Sequence, residues 1–402
     1  MRIIDHSHCT GCRACEQICP RRCISMISDQ DGFFYPNINF NQCINCRLCE
    51  KYCPVHYSVA NDMKNQSVFA VWLKNSDILK TSSSGGAFSA IAEYVLKRGG
   101  SVFGCAFTST FQIKHICVND LQSLKKLRGS KYVQSDTMDT FSQAKRLLQS
   151  GKLVLYSGTP CQIAGIKAYL HKDYENLITI DLICHGVPSP LLFSKYIHWL
   201  EEKIHGKVLS YRFRDKEKNG WSHTGRFFYH KNNKVIQKDI ISKLDPYYSL
   251  FLKGDIYREC CYKCMYANAC RQGDFTIGDF WGFEHIHPEY SIRNGISLLL
   301  VNNKKAADIL PFLSTYLTLL PSTFEEAAKH NGQLTHPTVT SKKRKDFLCS
   351  ARSDSFQDVV FLWKKYYRKE IFFTICESLV PSKVKSFLKP FYKKFKASTC
   401  KD

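Results

Sequence analysis

Apolar and polar positions alternate along most of the chain with the periods of strands and helices. Apolar runs bounded by turn residues predict strands, and apolar positions three and four apart, as at Phe88, Ile91, Ala92, Val95 and Leu96, predict helices. The predicted strands are 68–73, 101–107, 152–156, 177–184, 208–214, 224–238 (a hairpin turning at Asn232-Asn233) and 297–301, and the predicted helices are 88–96, 160–170, 190–204 and 305–317. This alternation predicts an α/β core.

The first part of the chain follows a cysteine pattern instead. Two runs, 9–20 and 43–54, share the spacing C-x2-C-x2-C-x3-C-P. This doubled spacing is typical of bacterial ferredoxins, in which three thiolates of each run bind one 4Fe-4S cluster and the fourth binds the other. A disulfide framework or a zinc knuckle does not need the doubled run. Cys23 lies outside the spacing and is predicted to be a small buried residue. The predicted ligand sets are Cys9, Cys12, Cys15 and Cys53 for one cluster, and Cys43, Cys46, Cys49 and Cys19 for the other.

A Ser/Gly turn, Ser84-Gly85-Gly86, joins the first predicted strand to the first predicted helix of the core. Such a turn presents backbone N–H groups to an anion such as phosphate, although an ordinary helix start has the same residues. Lys131 lies beside a second glycine turn and is a further candidate for binding phosphate, with a solvated turn as the alternative. No G-x-G-x-x-G and no Walker loop is present, which excludes the usual dinucleotide fold and a P-loop nucleotidase.

Cysteines also follow the predicted strands of the core. Cys161 lies in the first turn of a helix that starts with a capping box of Thr159 and Gln162 and has Pro160 at its first position. The helix dipole is expected to lower the pKa of this thiol, with a buried inert thiol as the alternative. Cys184 ends the next strand, where open α/β sheets bind their ligands. Two ligand sets remain open: zinc bound by Cys260, Cys261, Cys264 and Cys270, or a third 4Fe-4S cluster bound by Cys161, Cys184, Cys261 and Cys264.

Composition and charge narrow the class of protein. The chain has 402 residues, of which 44% are hydrophobic and 23% charged, as in globular proteins. No apolar run is long enough for a membrane span and none precedes the first cysteine, so reduced thiols and clusters are expected in the cytoplasm. The net charge is +22, and residues 341–402 contain sixteen Lys or Arg and six Asp or Glu. This excess favours an acidic partner such as a phosphorylated cofactor, although solubility alone would explain it. Nucleic acid is not expected, because clustered aromatics and a recognition motif are missing.

Six short motifs occur in this order: Ser84-Gly85-Gly86, Gly129-Ser130-Lys131-Tyr132-Val133-Gln134, Gly158-Thr159-Pro160-Cys161-Gln162, Cys184-His185-Gly186-Val187-Pro188, Cys261-x2-Cys264 and Gly278-Asp279-Phe280-Trp281-Gly282. With them the chain resembles the beta subunit of coenzyme F420 hydrogenase/dehydrogenase, with a ferredoxin module fused in front, over roughly residues 1–320. Chlorophyll-pathway reductases are similar across the same core.

The resemblance implies an FAD-binding α/β domain in which the flavin exchanges a hydride with the deazaflavin coenzyme F420 and single electrons with the clusters. It also implies that the third cluster is bound by Cys161, Cys184, Cys261 and Cys264. Cys260 and Cys270 depart from the family pattern and leave this ligand choice open. His185 is the candidate proton donor. The implied FAD contacts are Ser84, Gly85, Gly86, Lys131, Thr159 and Asp279.

The expected fold class is therefore α+β or α/β, with a small ferredoxin-like domain in front of an FAD-binding domain. The expected divisions are a two-cluster ferredoxin domain at 1–57, the two parts of the family core at 67–150 and 151–335, and a basic tail at 336–402 that could contact a membrane surface. The expected function is an iron–sulfur flavoprotein oxidoreductase acting on the deazaflavin or another small acidic substrate, with a redox partner protein. A ferredoxin-dependent reductase of a small organic or sugar intermediate and a flavin-free electron-transfer adaptor are the alternatives.

Overall fold

The computed structural model describes residues 4–56 and 66–379. The N-terminal module, residues 4–56, contains two short helices beside an antiparallel hairpin. Its elements are α1 (Ala14–Ile18), β1 (Ile24–Ser28), β2 (Phe34–Ile38) and α2 (Leu48–Lys51). Arg13 and Arg47, which precede the two helices, both adopt the left-handed conformation, with φ of 64° and 57°. The repeated cysteine spacing therefore produces the same backbone turn twice.

An eight-stranded mixed sheet forms the centre of the remaining chain. From one edge to the other its strands are β13 (Leu317–Ser322), β3 (Ser67–Leu73), β12 (Ser297–Val301), β11 (Phe275–Asp279), β7 (Leu177–Leu182), β6 (Val154–Gly158), β4 (Ser101–Phe107) and β5 (Ile113–Val118). Strands β11, β7, β6 and β4 run parallel, and the other neighbouring pairs are antiparallel. The predicted α/β core behind a small N-terminal domain is confirmed.

Helices cover both faces of this sheet, because successive strand residues point to opposite sides. Val102 and Leu155 pack against α4 (Ala87–Leu96) and α10 (Lys304–Tyr316) on one face. Phe103 and Tyr156, one residue further along each strand, pack against α5 (Thr140–Gln149) and α6 (Pro160–Leu170) on the other. Shorter helices in the connections are α3 (Ser76–Thr81), α9 (Phe283–Ile286) and α11 (Phe324–Lys329).

A second sheet lies beside the first and has its own helical cover. Its antiparallel strands are β8 (Lys207–Arg212), β9 (Thr224–Lys231) and β10 (Lys234–Ile241). Asn232 and Asn233 have φ of 49° and 59°, the backbone of a tight hairpin turn, at the position where the sequence predicts it. The helices that share its core are α7 (Pro190–Ile204), α8 (Pro246–Leu252), α12 (Arg344–Ala351) and α13 (Gln357–Leu379).

Part of the segment predicted as a basic tail is packed into this second core. Phe347, Val359, Val360 and Trp363 are buried there, because the apolar positions of α12 and α13 share one side while many of the lysines are exposed. Residues 380–402 lie outside the described residues, so the membrane contact suggested for the tail stays a prediction. In the two described ranges, no helix has the length and apolar character needed to cross a bilayer.

Arg258 attaches the N-terminal module to the core. Its side chain is fully buried, and its guanidinium donates from Nε to the carbonyl of Cys9 at 2.7 Å and from Nη2 to the carbonyl of Phe34 at 3.0 Å. The same group lies over the ring of Tyr35, 4.1 Å from its centre. Two buried carbonyls of the module therefore depend on a donor that the core supplies.

Further contacts surround this one. The hydroxyls of Thr137 and Tyr266 donate to the carbonyls of Cys12 and Pro54 at 3.0 and 2.9 Å. A side chain at Gly165 in α6 would press on Cys12, since a Cβ there would lie 3.0 Å from the Cβ of that cysteine. The module is thus docked through its own cysteine loops.

We expect the substitution Arg258→Met to loosen the N-terminal module. It leaves the carbonyls of Cys9 and Phe34 buried without a donor, at a cost of about 1–3 kcal/mol each. Hydrogen exchange of residues 4–56, measured by mass spectrometry, should become faster, while exchange in β6 and β7 should not change. Arg368→Met, at an exposed position of α13, is the control and should alter neither region. Unchanged exchange in the module of Arg258→Met would contradict the docking role.

Candidate functional site

Four cysteines of the N-terminal module lie together beside the core, and we call them the inner group: Cys9, Cys12, Cys15 and Cys53. Burial and the charges of Cys53 and Cys9 raise the pKa of Cys12 to about 12. Burial and the charges of Cys12, Cys9 and Cys53 also raise the pKa of Cys15. Cys53 of the second run thus joins three cysteines of the first run, in the crossed arrangement that the spacing predicts.

The other four cysteines of the two repeated runs line one pocket and form the outer group: Cys19, Cys43, Cys46 and Cys49. Cys46 is exposed, so this group lies at the surface. Cys23 lines the same pocket, with its Sγ 3.4 Å from the Sγ of Cys19, and burial and this contact raise its pKa to about 11. Sequence analysis predicts only a small buried residue at Cys23; its contact with the outer group arises from the fold of β1 and leaves no sign in the spacing.

Five cysteines line a third cavity, inside the core, and form the core group: Cys161, Cys184, Cys260, Cys261 and Cys264. The cavity contains about 730 Å³ of empty space, part of it open to solvent. Cys161 and Cys184 follow the adjacent parallel strands β6 and β7, whose carboxyl ends meet at one edge of the sheet. The loop before β11 brings the other three cysteines to the same edge.

The pKa predicted for Cys161 is wrong in direction. The capping box and the position in the first turn of α6 are present, and the Oγ1 of Thr159 lies 3.1 Å from the Sγ of Cys161. However, burial and the charges of Cys264 and Cys184 raise the pKa of Cys161 well above its usual range. Removing a thiolate from water among other thiols outweighs a helix dipole, whose effect is about 0.3–1 kcal/mol.

The core group contains one cysteine more than a 4Fe-4S cluster needs. Cys260 is buried between two groups: its charge acts on Cys161 and Cys184, and also on Cys9 of the inner group. Cys261 and Cys264 have the C-x2-C spacing carried by the family resemblance. Cys270 is exposed and lies outside the cavity lining, and in the described ranges no three Cys, His, Asp or Glu residues are placed to hold a single metal ion.

Tyr266 lies between the inner group and the core group. Its side chain is 2% exposed, and its surroundings include Cys161 and Cys264 on one side and Cys12 and Cys53 on the other. The core cavity is also lined by His8, Thr10 and Val55 of the N-terminal module. The three groups therefore follow one another in the order outer, inner, core, since the charge of Cys49 acts on Cys15 and that of Cys260 acts on Cys9.

The predicted flavin contacts separate into residues that build turns and residues that face the core cavity. The Oγ of Ser84 donates to the carbonyl of Ile296 at 2.7 Å, and a Cβ at Gly85 or Gly86 would collide with β3. These glycines are required by packing against the sheet, and Gly86, with φ of 87°, starts α4. Thr159 lines the core cavity instead.

Lys131 is engaged by its own loop. Its ammonium donates to the carbonyls of Lys126, Leu127 and Arg128 at 3.2, 3.1 and 2.8 Å, which uses its three donors. The adjacent Arg128 has a donor to spare, because its buried Nε finds no acceptor in the described part of the chain. Ser130, two residues on, donates from its backbone N to the Oγ of Ser83 at 2.8 Å. Arg128 therefore offers an N–H without an acceptor among the described residues, whereas Lys131 offers none, and only the folded structure reveals this difference.

Asp279 lies near His185, close enough for its charge to act on the imidazole. Asp279 accepts from Nη1 of Arg214 and from Nε1 of Trp221, both at 2.8 Å. His185 lines the cavity, and its pKa is lowered by burial and partly restored by the charge of Asp279. Sequence analysis missed Arg214, which follows β8 and is brought to Asp279 only by the fold.

Family comparisons cover most of the chain. The N-terminal part of the coenzyme F420 hydrogenase/dehydrogenase beta subunit matches residues 68–141, its C-terminal part matches residues 151–318, and a 4Fe-4S dicluster domain matches residues 8–57. The chain belongs to the coenzyme F420 hydrogenase/dehydrogenase beta subunit family. The family and the dicluster domain together indicate an iron–sulfur oxidoreductase engaged in electron transfer.

Among solved structures, this chain is similar to the xenon-derivatized F420-reducing NiFe hydrogenase complex from Methanosarcina barkeri. The identity is 15%, the match covers 77% of this chain and 96% of that chain, and the TM-score is 0.43. No curated protein matches the chain.

We expect Cys261→Ser to remove about four irons per chain, because it removes one of the four thiolates expected to bind one 4Fe-4S cluster, namely Cys161, Cys184, Cys261 and Cys264. Cys260→Ser leaves these four thiolates in place and should remove no iron. The measurement is the iron content of anaerobically purified protein, with Cys349→Ser, at an exposed cysteine of α12, as the control. The reverse result would make Cys260 the fourth ligand in place of Cys261.

Proposed function

We propose that the protein is an iron–sulfur flavoprotein oxidoreductase. It passes electrons between the two clusters of the N-terminal module, a third 4Fe-4S cluster in the core and FAD, and exchanges a hydride with coenzyme F420 or a similar acidic acceptor. The observation that carries the proposal is the order of the three cysteine groups, from the exposed outer group through the inner group to the core group at the carboxyl ends of β6 and β7. A cytoplasmic location and a redox partner that meets the exposed outer group are part of it.

The donor sets fit iron–sulfur clusters. Each group offers at least four thiols, and two buried guanidiniums lie close enough to stabilise the thiolate form of some of them. The charge of Arg258 lowers the pKa of Cys9 and Cys260, and the charge of Arg271 lowers the pKa of Cys184 and Cys264, against the larger opposite effect of burial. Positive charge and burial of this kind set the reduction potential of a cluster as well as stabilise its binding.

The residues near the Ser/Gly turn fit FAD in part. Arg128 and the backbone at the start of α4 would hold its phosphates, and the Ser83–Ser130 contact fixes the two loops that bear them. When bound, FAD converts between single electrons and a hydride. The protein around His185 lowers its pKa, with desolvation as the largest cause, so the imidazole is neutral at pH 7. It therefore serves better as a proton acceptor than as an imidazolium acid.

A second candidate function differs only in the substrate. A ferredoxin-dependent reductase of a small organic molecule would use the same groups in the same order. The observation that favours it is Arg214, a buried cation paired with Asp279, whose charge in turn acts on His185 of the core cavity.

We expect anaerobically purified protein to contain about twelve irons and one FAD per chain and no zinc, as three clusters and one flavin require. Elemental analysis and the flavin absorbance measure this directly. Stopped-flow mixing with reduced F420, NADH or reduced ferredoxin then identifies the electron donor. Bleaching by reduced F420 supports the deazaflavin, and bleaching by ferredoxin alone supports the second candidate. Protein with full iron that takes up no flavin would contradict the flavoprotein and favour an adaptor.

A further inference from the structure

Arg214 is a buried cation with half of its guanidinium unpaired. Its side chain is 1% exposed, and its Nη1 donates to Asp279 at 2.8 Å. Its Nε and Nη2 find no hydrogen-bond partner among the residues that the structure describes. These two N–H groups form the side-on edge of the guanidinium, which matches the two oxygens of a carboxylate through parallel hydrogen bonds.

Aromatic side chains surround this edge. Trp221 and Trp281 are stacked, with ring centres 4.6 Å apart and planes 5° from parallel. The guanidinium of Arg214 lies 5.3 Å from the ring centre of Trp281, and the ring of His223 lies 4.9 Å from it. The Nδ1 of His223 is also buried without a partner in the described part of the chain. Trp281 and His223 are only half-buried, so they form the side of the cluster nearest to solvent.

The charged groups around Arg214 favour the binding of an anion. Asp279 is already committed to Arg214 and Trp221. Burial and the charge of Arg214 lower the pKa of His223 to about 4, so its ring is neutral. Lys216 donates to the carbonyls of Leu79, Ser84 and Asn294 and does not offer a competing ion pair. Two unpaired buried donors cost about 1–3 kcal/mol each, a cost that a bound acceptor removes.

The cluster adjoins the proposed redox centre. His185 lines the core cavity, and its charge acts on His223, so the imidazole of His185 lies between the core group and this aromatic cluster. A molecule held at Arg214 is therefore held near the core group and not on a remote surface.

We propose that Arg214, His223, Trp221 and Trp281 form the substrate-binding site, and that the substrate is a small organic acid. Its carboxylate pairs with the side-on edge of Arg214, and its flat or apolar part lies against the indole pair. The word substrate rests on the proposed function, whereas the binding of a carboxylate does not. The pyrimidine edge of a flavin offers related acceptor chemistry, and the experiment separates the two sources.

The first arm uses the unmodified full-length protein, purified anaerobically. Benzoate is the probe because it joins a carboxylate to a flat ring, and benzamide is its uncharged counterpart. Tryptophan fluorescence and calorimetry should show benzoate binding at least ~10-fold more tightly than benzamide, as loss of a charged hydrogen-bonded pair predicts. Equal binding of the two probes would overturn the proposal.

The second arm uses variants at Arg214. Both Arg214→Lys, which keeps the charge but not the planar edge, and Arg214→Gln should weaken benzoate binding by ~10- to 100-fold. The matched control Arg212→Lys changes a side chain that is 54% exposed and should leave binding unchanged. Circular dichroism and iron content report whether each variant is folded. Full benzoate affinity in folded Arg214→Lys and Arg214→Gln would also overturn the proposal.

The third arm measures FAD affinity in Arg214→Lys. Retained FAD with weakened benzoate binding assigns the edge to the substrate. Weakened FAD together with displacement of benzoate by FAD assigns it to the cofactor and overturns the proposal. Protein that binds benzoate through Arg214 but never takes up FAD supports the carboxylate site and contradicts the proposed flavoprotein, so the two failures are distinguishable.

Discussion

The buried guanidinium of Arg258 is the interaction on which the arrangement of the cysteine groups depends. Arg258 lies two residues before Cys260, and one of its acceptors is the carbonyl of Cys9, so one side chain connects the core group to the inner group. A buried charge that loses its partners is strongly destabilising, which ties the two groups to one geometry. Electron transfer depends steeply on separation, and a fixed docking is therefore a functional requirement as much as a structural one.

Burial of so many thiols disfavours their charged form, and the protein alone does not compensate for this effect. Burial raises the pKa of Cys12 and Cys184 to about 12, so without iron these sulfurs carry protons. Cluster assembly at the inner group, and at the proposed third site in the core, must release those protons and leave negative charge in the interior. Arg271 and Arg258 offset part of that charge, and the buried ring of Tyr266 lies between the two groups. Charge compensation and the packing between the groups thus come from the same segment before β11.

Local sequence signals predicted local structure well. The strand 101–107, the capping box of α6 and the Asn232-Asn233 turn lie where the pattern puts them, because each depends on neighbours in the chain. Signals failed where the decisive partner is distant in sequence. The pKa of Cys161 is set by burial among cysteines of other elements. Lys131 failed for a local reason, because its ammonium is bound by carbonyls three to five residues earlier in its own loop. Arg214 carries no local sign of its role, since Asp279 is sixty-five residues away.

The net surface charge and the buried charge of Arg214 act on an acidic molecule in different ways. The chain carries +22, but exposed lysines are screened within about 8–10 Å at physiological ionic strength and attract acidic molecules without selecting one. Arg214 contributes only one charge to that total. Because Arg214 is buried, salt screens its charge little, and the two N–H groups that lack a partner among the described residues fix the direction from which an acceptor can bind. A single desolvated guanidinium with two free donors can discriminate a carboxylate from its amide, which a basic surface cannot. At the proposed carboxylate site, substrate selection would therefore depend on this buried guanidinium, and the surface charge would contribute only to encounter.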